Sequence, residues 1–156
     1  MTVDDLVAAL LAQGQLVAIA ESCTGGMVAA AITDAVGSSA VFDRGFVTYS
    51  NAAKNQMLGV PTKLISTHGA VSEQVARAMA KGALAHSAAT LSIAITGIAG
   101  PGGGTDTKPV GLVHFALATK RGKESHEKLN FTGDRAAIRV AARDHALQML
   151  GKAVSG

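Results

Sequence analysis

The sequence predicts a three-layer α/β/α sandwich built on a mixed, mostly parallel sheet of about five strands. Three observations lead there. Short apolar runs bounded by turn residues, Leu16–Ala20 and Leu91–Thr96, read as buried strands interleaved with helical segments, which implies parallel crossovers. Two later segments, Val110–Thr119 and Glu124–Phe131, meet at Arg121-Gly122-Lys123 and read as a hairpin that adds an antiparallel strand. The apolar stock is Ala, Val, Leu and Ile with no Trp, one Tyr and four Phe, a set that suits helices packed closely on a sheet.

The elements follow in order. Thr2-Val3-Asp4-Asp5 has capping-box spacing ahead of a helix of about ten residues that ends near Gly14. After strand Leu16–Ala20 a helix is expected from about Thr24 to Ala35, and Gly37-Ser38-Ser39 then breaks the chain. Val41–Tyr49 reads as a strand. Asn51 is expected to cap a short helix ending at Gly59, before Pro61. A loop through His68-Gly69 leads to a helix from Ser72 to about Ser87, followed by strand Leu91–Thr96. A glycine-rich loop, Gly97–Lys108, precedes the hairpin, and Asp134 is expected to cap a final helix running to about Ala153. One domain over residues 1–156 is the expectation, since no linker or repeat interrupts the chain.

Composition removes several function classes. The net charge is only +3, and no basic run exceeds Lys120-Arg121-Gly122-Lys123. Nucleic-acid binding asks for a concentrated basic face with stacking aromatics, so no nucleic-acid partner is expected. Asp4 and Asp5 stand where a signal peptide carries cations, and no apolar run approaches the ~20 residues that span a bilayer. A cytoplasmic protein without membrane contact is expected. A single cysteine excludes an internal disulfide. The five histidines include no pair at helical metal spacing, so neither a metal nor a cofactor is expected.

Chemistry concentrates at strand ends, where ligands bind in α/β sheets. Ser22-Cys23-Thr24-Gly25-Gly26 sits at a strand-to-helix turn. Such a turn holds an anion on free helix N–H groups, presents a nucleophile beside an oxyanion hole formed by Thr24 to Gly26, or is a plain helix start with Thr24 as its cap and small residues for packing. Cys23 is expected to be a buried small residue. Tyr49-Ser50-Asn51-Ala52-Ala53-Lys54 puts Lys54 in the first turn of a helix, where the dipole lowers an amine's pKa; its own segment reads either as a solvated surface lysine or as a base for serine. Thr96 ends its strand facing the same crevice. Gly100, Gly102 and Gly103 belong to a loop that reads either as a flexible surface loop or as a cradle of backbone N–H groups for a phosphate. Arg135, Arg139 and Arg143 form one stripe of the last helix, read as a solvated face except for Arg135, which stands at the helix start and can hold an anion.

Taken together these segments resemble the CinA C-terminal domain family. The resemblance rests on Ala20-Glu21-Ser22-Cys23-Thr24-Gly25-Gly26, Val47-Thr48-Tyr49-Ser50-Asn51 with Lys54, His68-Gly69-Ala70-Val71-Ser72-Glu73, Thr96 through Gly103, Lys108-Pro109-Val110-Gly111 and Gly133-Asp134-Arg135. It covers essentially the whole chain and is to the stand-alone form. The resemblance implies hydrolysis of nicotinamide mononucleotide to nicotinic acid mononucleotide and ammonia, with Ser22 as nucleophile and Lys54 as base. It also implies that Tyr49 and Thr96 serve the reaction, and that Thr24, Gly25, Gly26, Asn51, Gly100, Gly102, Gly103 and Arg135 bind substrate. A homo-oligomer is implied as well. The alternative is a non-catalytic nucleotide-binding or partner-interaction module of the same fold. His114 stands where many relatives carry an aromatic residue, a difference expected to alter the pocket.

Overall fold

Five strands form one sheet in the order β2-β1-β3-β4-β5, with β1 at Val17–Glu21, β2 at Phe42–Val47, β3 at Leu91–Gly97, β4 at Leu112–Thr119 and β5 at Glu124–Asn130. A computed structural model describes residues 1–156. β1 pairs in parallel with β2 and β3, whereas β4 is antiparallel to both β3 and β5. Four strands therefore run one way and β4 alone runs back, the mixed and mostly parallel sheet expected. The helices are α1 (Val3–Ala12), α2 (Met27–Thr33), α3 (Asn51–Leu58), α4 (Thr62–His68), α5 (Glu73–Ala85) and α6 (Arg135–Ser155). None is long and apolar enough to cross a membrane.

Side-chain size separates the two faces of the sheet. Val17, Ile19, Ile93, Ile95, Val113 and Phe115 point to one side and pack with α1, α2 and α6. The alternate positions Ala18, Ala20, Ala94, Ala116 and Ala118 face α3, α4 and α5. Period-two alternation puts these sets on opposite faces. A face of alanines lets α5 approach closely, and Ser92 on it donates its hydroxyl to the Ala80 carbonyl at 2.7 Å. Contact between α5 and α3 is as tight: a Cβ on Gly82 would lie 2.1 Å from the Leu58 carbonyl oxygen.

Besides shifts of one or two residues at strand ends, the elements depart from the sequence expectations at three places. α2 starts at Met27, three residues later than expected, because Gly26 adopts φ 109°, which a side chain would resist. Thr24 is therefore not its cap. α3 is capped by Ser50, whose Oγ accepts from the Ala53 N–H at 3.0 Å, so Asn51 is its first helical residue. The segment before Gly69, expected to be loop, contains α4; its cap position is Pro61, which makes no side-chain cap bond.

Candidate active site

The parallel strands β1, β2 and β3 deliver their carboxyl ends to one edge of the sheet. Past β1, the Ser22 N–H donates to the Ile95 carbonyl on β3 at 3.0 Å. Past β2, the Thr48 N–H donates to the Glu21 carbonyl at 2.8 Å. Ladder bonds on both sides thus fix where Ser22 and Thr48 sit. Between these ends lies a cavity of about 180 Å³ lined by Ser22, Cys23, Tyr49, Asn51, Lys54 and Thr96, closed by Ala70–Val71, Gly97, Ala99 and Arg135.

At its floor, Lys54 Nζ lies 3.0 Å from Ser22 Oγ and 2.8 Å from the Thr48 carbonyl, with the Tyr49 carbonyl at 3.5 Å. Lys54 is 1 % exposed and has no carboxylate partner. Burial pulls its pKa below the usual lysine value, against a small opposing effect of Cys23. A neutral amine here spends its two N–H groups on the carbonyls and turns its lone pair to the Ser22 hydroxyl. That is the geometry of a base activating a nucleophile. The neighbouring thiol is unsuited to that task, since burial pushes Cys23 up to about 11.

Two carbonyls and one carboxylate shape the turn that carries Ser22. Glu21, 1 % exposed, accepts the Val28 and Ala29 N–H groups, both at 3.0 Å. An internal carboxylate therefore occupies the α2 N-terminus, and the anion site expected there is already filled. Arg139 donates from Nε to the Cys23 carbonyl at 3.0 Å and from Nη2 to the Thr24 carbonyl at 3.3 Å. The Gly25 N–H is used within the turn, on the Ser22 carbonyl at 3.1 Å.

The remaining expected residues divide. Thr96 lines the cavity and donates its hydroxyl to the Ala70 carbonyl at 2.9 Å, which ties the α4–α5 connection to β3. Tyr49 is 60 % exposed at the rim, and its hydroxyl accepts from Arg135 Nη2 at 2.8 Å rather than meeting Ser22 or Lys54. Arg135 Nη1 donates to the Gly100 carbonyl at 2.8 Å, so one guanidinium bridges both sides of the mouth. Thr24, Gly25, Gly26, Gly102 and Gly103 do not line the cavity. Thr24 lies wholly buried behind it, its Oγ1 without a partner, while Gly102 and Gly103 are exposed beyond the rim. His114 is outside the cavity too; its ring stacks on His126 at 5.1 Å between centroids. No group of three or more His, Cys, Asp or Glu is arranged to hold a metal.

Sequence reasoning missed Glu21 and Arg139. Glu21 carries a signal, a carboxylate closing an otherwise apolar strand. The four-residue spacing from Arg135 puts Arg139 on the same helix face. A larger cavity of about 290 Å³ lies at the opposite edge of the sheet, among Gln13, Leu117, Ser125, Met149 and Lys152, and no serine there is hydrogen-bonded to a lysine.

Fold and site together define an α/β domain with a buried serine–lysine pair at the carboxyl edge of its sheet. The CinA C-terminal domain model matches residues 2–154, and the chain belongs to that family. It is 56 % identical over 142 residues to the nicotinamide-nucleotide amidohydrolase PncC of Escherichia coli, covering 91 % of this chain and 86 % of that protein. It is 49 % identical over 152 residues to a competence-damage inducible protein of Caldicellulosiruptor bescii, covering 97 % of this chain but only 37 % of that longer protein. Among solved structures, the competence/damage inducible protein CihA from Agrobacterium tumefaciens superposes with a TM-score of 0.92 at 48 % identity, over 99 % of this chain and 96 % of that one.

Proposed function

We propose that this chain hydrolyses the carboxamide of nicotinamide mononucleotide, giving nicotinic acid mononucleotide and ammonia, with Ser22 as nucleophile and Lys54 as base. The observation that carries the reading is the 3.0 Å contact between Ser22 Oγ and a buried lysine amine that has no carboxylate partner. The name of the Escherichia coli relative supports the substrate.

Ser22 Oγ attacks the amide carbon while its proton passes to the neutral Lys54 amine. The carbonyl oxygen becomes an oxyanion, met by the Cys23 N–H beside the nucleophile. Collapse of the tetrahedral adduct breaks the C–N bond; Lys54 returns the proton and ammonia leaves, with an ester on Ser22. Water then attacks the ester, Lys54 again takes the proton and delivers it to Ser22 Oγ, and the acid departs. Two proton transfers through one amine balance each half-reaction.

The cavity, at about 180 Å³, is smaller than the ~300–1,000 Å³ of sites that enclose a drug-sized ligand. It therefore takes the pyridine carboxamide, and the ribose phosphate extends across the open mouth toward Arg135. A guanidinium binds phosphate bidentately with charge-assisted hydrogen bonds. The test is ammonia release from nicotinamide mononucleotide by the native chain and by Ser22→Ala. The expected result is turnover by the first alone. Ammonia from neither would favour the non-catalytic nucleotide-binding alternative, and ammonia from both would remove Ser22 from the mechanism.

A further inference from the structure

We infer that Arg139 is a positioning residue for the oxyanion donor of the Ser22 turn, an inference that rests on the serine-nucleophile reading above. Arg139 is partly buried, and its only hydrogen-bond partners in the protein are two main-chain carbonyls, those of Cys23 and Thr24. The other arginines of its stripe are engaged differently: Arg143 is paired with Asp144, and Arg135 bridges the rim. A partly buried guanidinium held by carbonyls alone, with no carboxylate in reach, stabilises little by ion pairing. Its effect falls on the peptides it touches.

Those peptides are the ones that follow the nucleophile. In a trans peptide the N–H points opposite to the C=O. Arg139 reaches from α6, on the face of the sheet away from α3 and Lys54, and takes the Cys23 carbonyl. The Thr24 N–H of that same peptide is thereby turned away from α6. No residue accepts it, but Thr24 is buried behind the cavity; the Cys23 N–H goes to no other residue, and the Gly25 N–H is spent on the Ser22 carbonyl. Cys23, which lines the cavity, thus offers the amide that directly follows Ser22, and its carbonyl is held by a cation. Glu21 fixes the other end of the turn through Val28 and Ala29, so the five residues are clamped from both sides.

Arg139→Ala in the full chain tests this. A misplaced donor weakens the transition state more than the bound substrate, so kcat should fall about 10²-fold while KM moves little. Added guanidinium ion should restore part of kcat, which a merely structural role would not allow. Arg139→Gln keeps an amide donor and most of the volume, and carries the test if the alanine variant does not fold; it too should lose kcat. A readout independent of substrate is the rate at which a fluorophosphonate labels Ser22, followed by intact mass, and it should fall by a similar factor in the variants. Native protein that labels at Ser22 yet releases no ammonia, with slowed labelling in the variants, removes the nucleotide reading and keeps this one. Unchanged kcat and labelling, or a loss confined to KM, overturns the inference.

Discussion

Lys54→Met removes the amine from the floor of the site while keeping an unbranched side chain of similar reach. Two opposing effects decide its stability. The native amine bonds the buried Thr48 carbonyl at 2.8 Å, and leaving that carbonyl unpartnered costs about 1–3 kcal/mol. Against this, an ammonium that is 1 % exposed and lacks a carboxylate is costly to bury, by several kcal/mol if it stays charged. Burial lowers the Lys54 pKa for that reason. The sign follows from proton counting. An unfolded lysine titrates near 10.4 and the folded one lower, so between the two values the unfolded chain holds the extra proton and native stability rises with pH. Below the folded pKa the full penalty is present; above about 10.4 it is gone. Methionine has no such term, so the variant gains most on the native chain at acid pH and loses that advantage in alkali. Each pKa unit of depression corresponds to about 1.4 kcal/mol, or about 3–5 °C in the melting midpoint of a chain this size. Thermal melts of both proteins at acid, neutral and alkaline pH measure the gap. Turnover should fall about 10²–10⁴-fold, and Lys54→Arg should fail as badly because a guanidinium cannot accept the serine proton. A melting gap independent of pH, or substantial turnover by Lys54→Arg, would refute the reasoning.

Other outcomes are expected from the same geometry. Cys23→Ala should keep most ammonia release and native Cys23 should alkylate slowly, since a thiol titrating at about 11 leaves about one thiolate in 10⁴ at neutral pH; activity lost with Cys23 but kept without Ser22 would reverse the assignment. Arg135→Ala should raise KM for the mononucleotide about 10- to 150-fold, the worth of a charge-assisted bond, and leave nicotinamide riboside, which has no phosphate, unaffected. Equal losses on both substrates would sink the phosphate argument. Gly82→Ala should destabilise by about 1–3 kcal/mol in chemical denaturation, because its Cβ meets the Leu58 backbone at the end of the helix that carries Lys54. Its kcat should fall as well.

The parts legible in the sequence are those where one local signal dominates. The Thr2–Asp5 capping box, the Asp134 cap and the apolar strands β1 and β3 each needed only their own residues; the caps stand as read and the strands do so to within one residue at an end. α4 was not legible: Thr62–His68 has little amphipathic pattern and begins at a proline that offers no cap bond, so the packing of Ile65 and Leu64 on the core holds it. The start of α2 was misread because its cap is a glycine with a left-handed backbone, and the acceptor for its first amides is Glu21, on another element. The site divided in the same way. Ser22 and Lys54 stood out by residue type at strand and helix ends, whereas Arg139 bonds main-chain carbonyls 115 and 116 positions away, a pairing that no spacing rule encodes. The glycines of the 100–104 loop suggested a phosphate cradle, but the cavity uses only the carbonyl of Gly100, through Arg135.

The serine–lysine geometry is a consequence of sheet register more than of either side chain. The N–H of Thr48 extends the β1–β2 ladder onto the Glu21 carbonyl, and the carbonyl of that same residue receives Lys54 Nζ. On the other side of β1 the Ser22 N–H extends the ladder onto Ile95. Ser22 and Lys54 are therefore each one bond from a paired backbone group, and the 3.0 Å separation of Oγ and Nζ follows from the alignment of Glu21 with Val47 and with Ile95. A slip of one residue in either pairing would carry Ser22 or Thr48 to the opposite face, because side chains alternate along a strand. Alternation also separates Ser22 from Cys23: the hydroxyl meets the amine, while the thiol joins the aliphatic core against α2 and α6 and stays protonated. Two adjacent nucleophile-type residues thus receive different fates from a single structural choice, the register that places the end of β1 between β2 and β3.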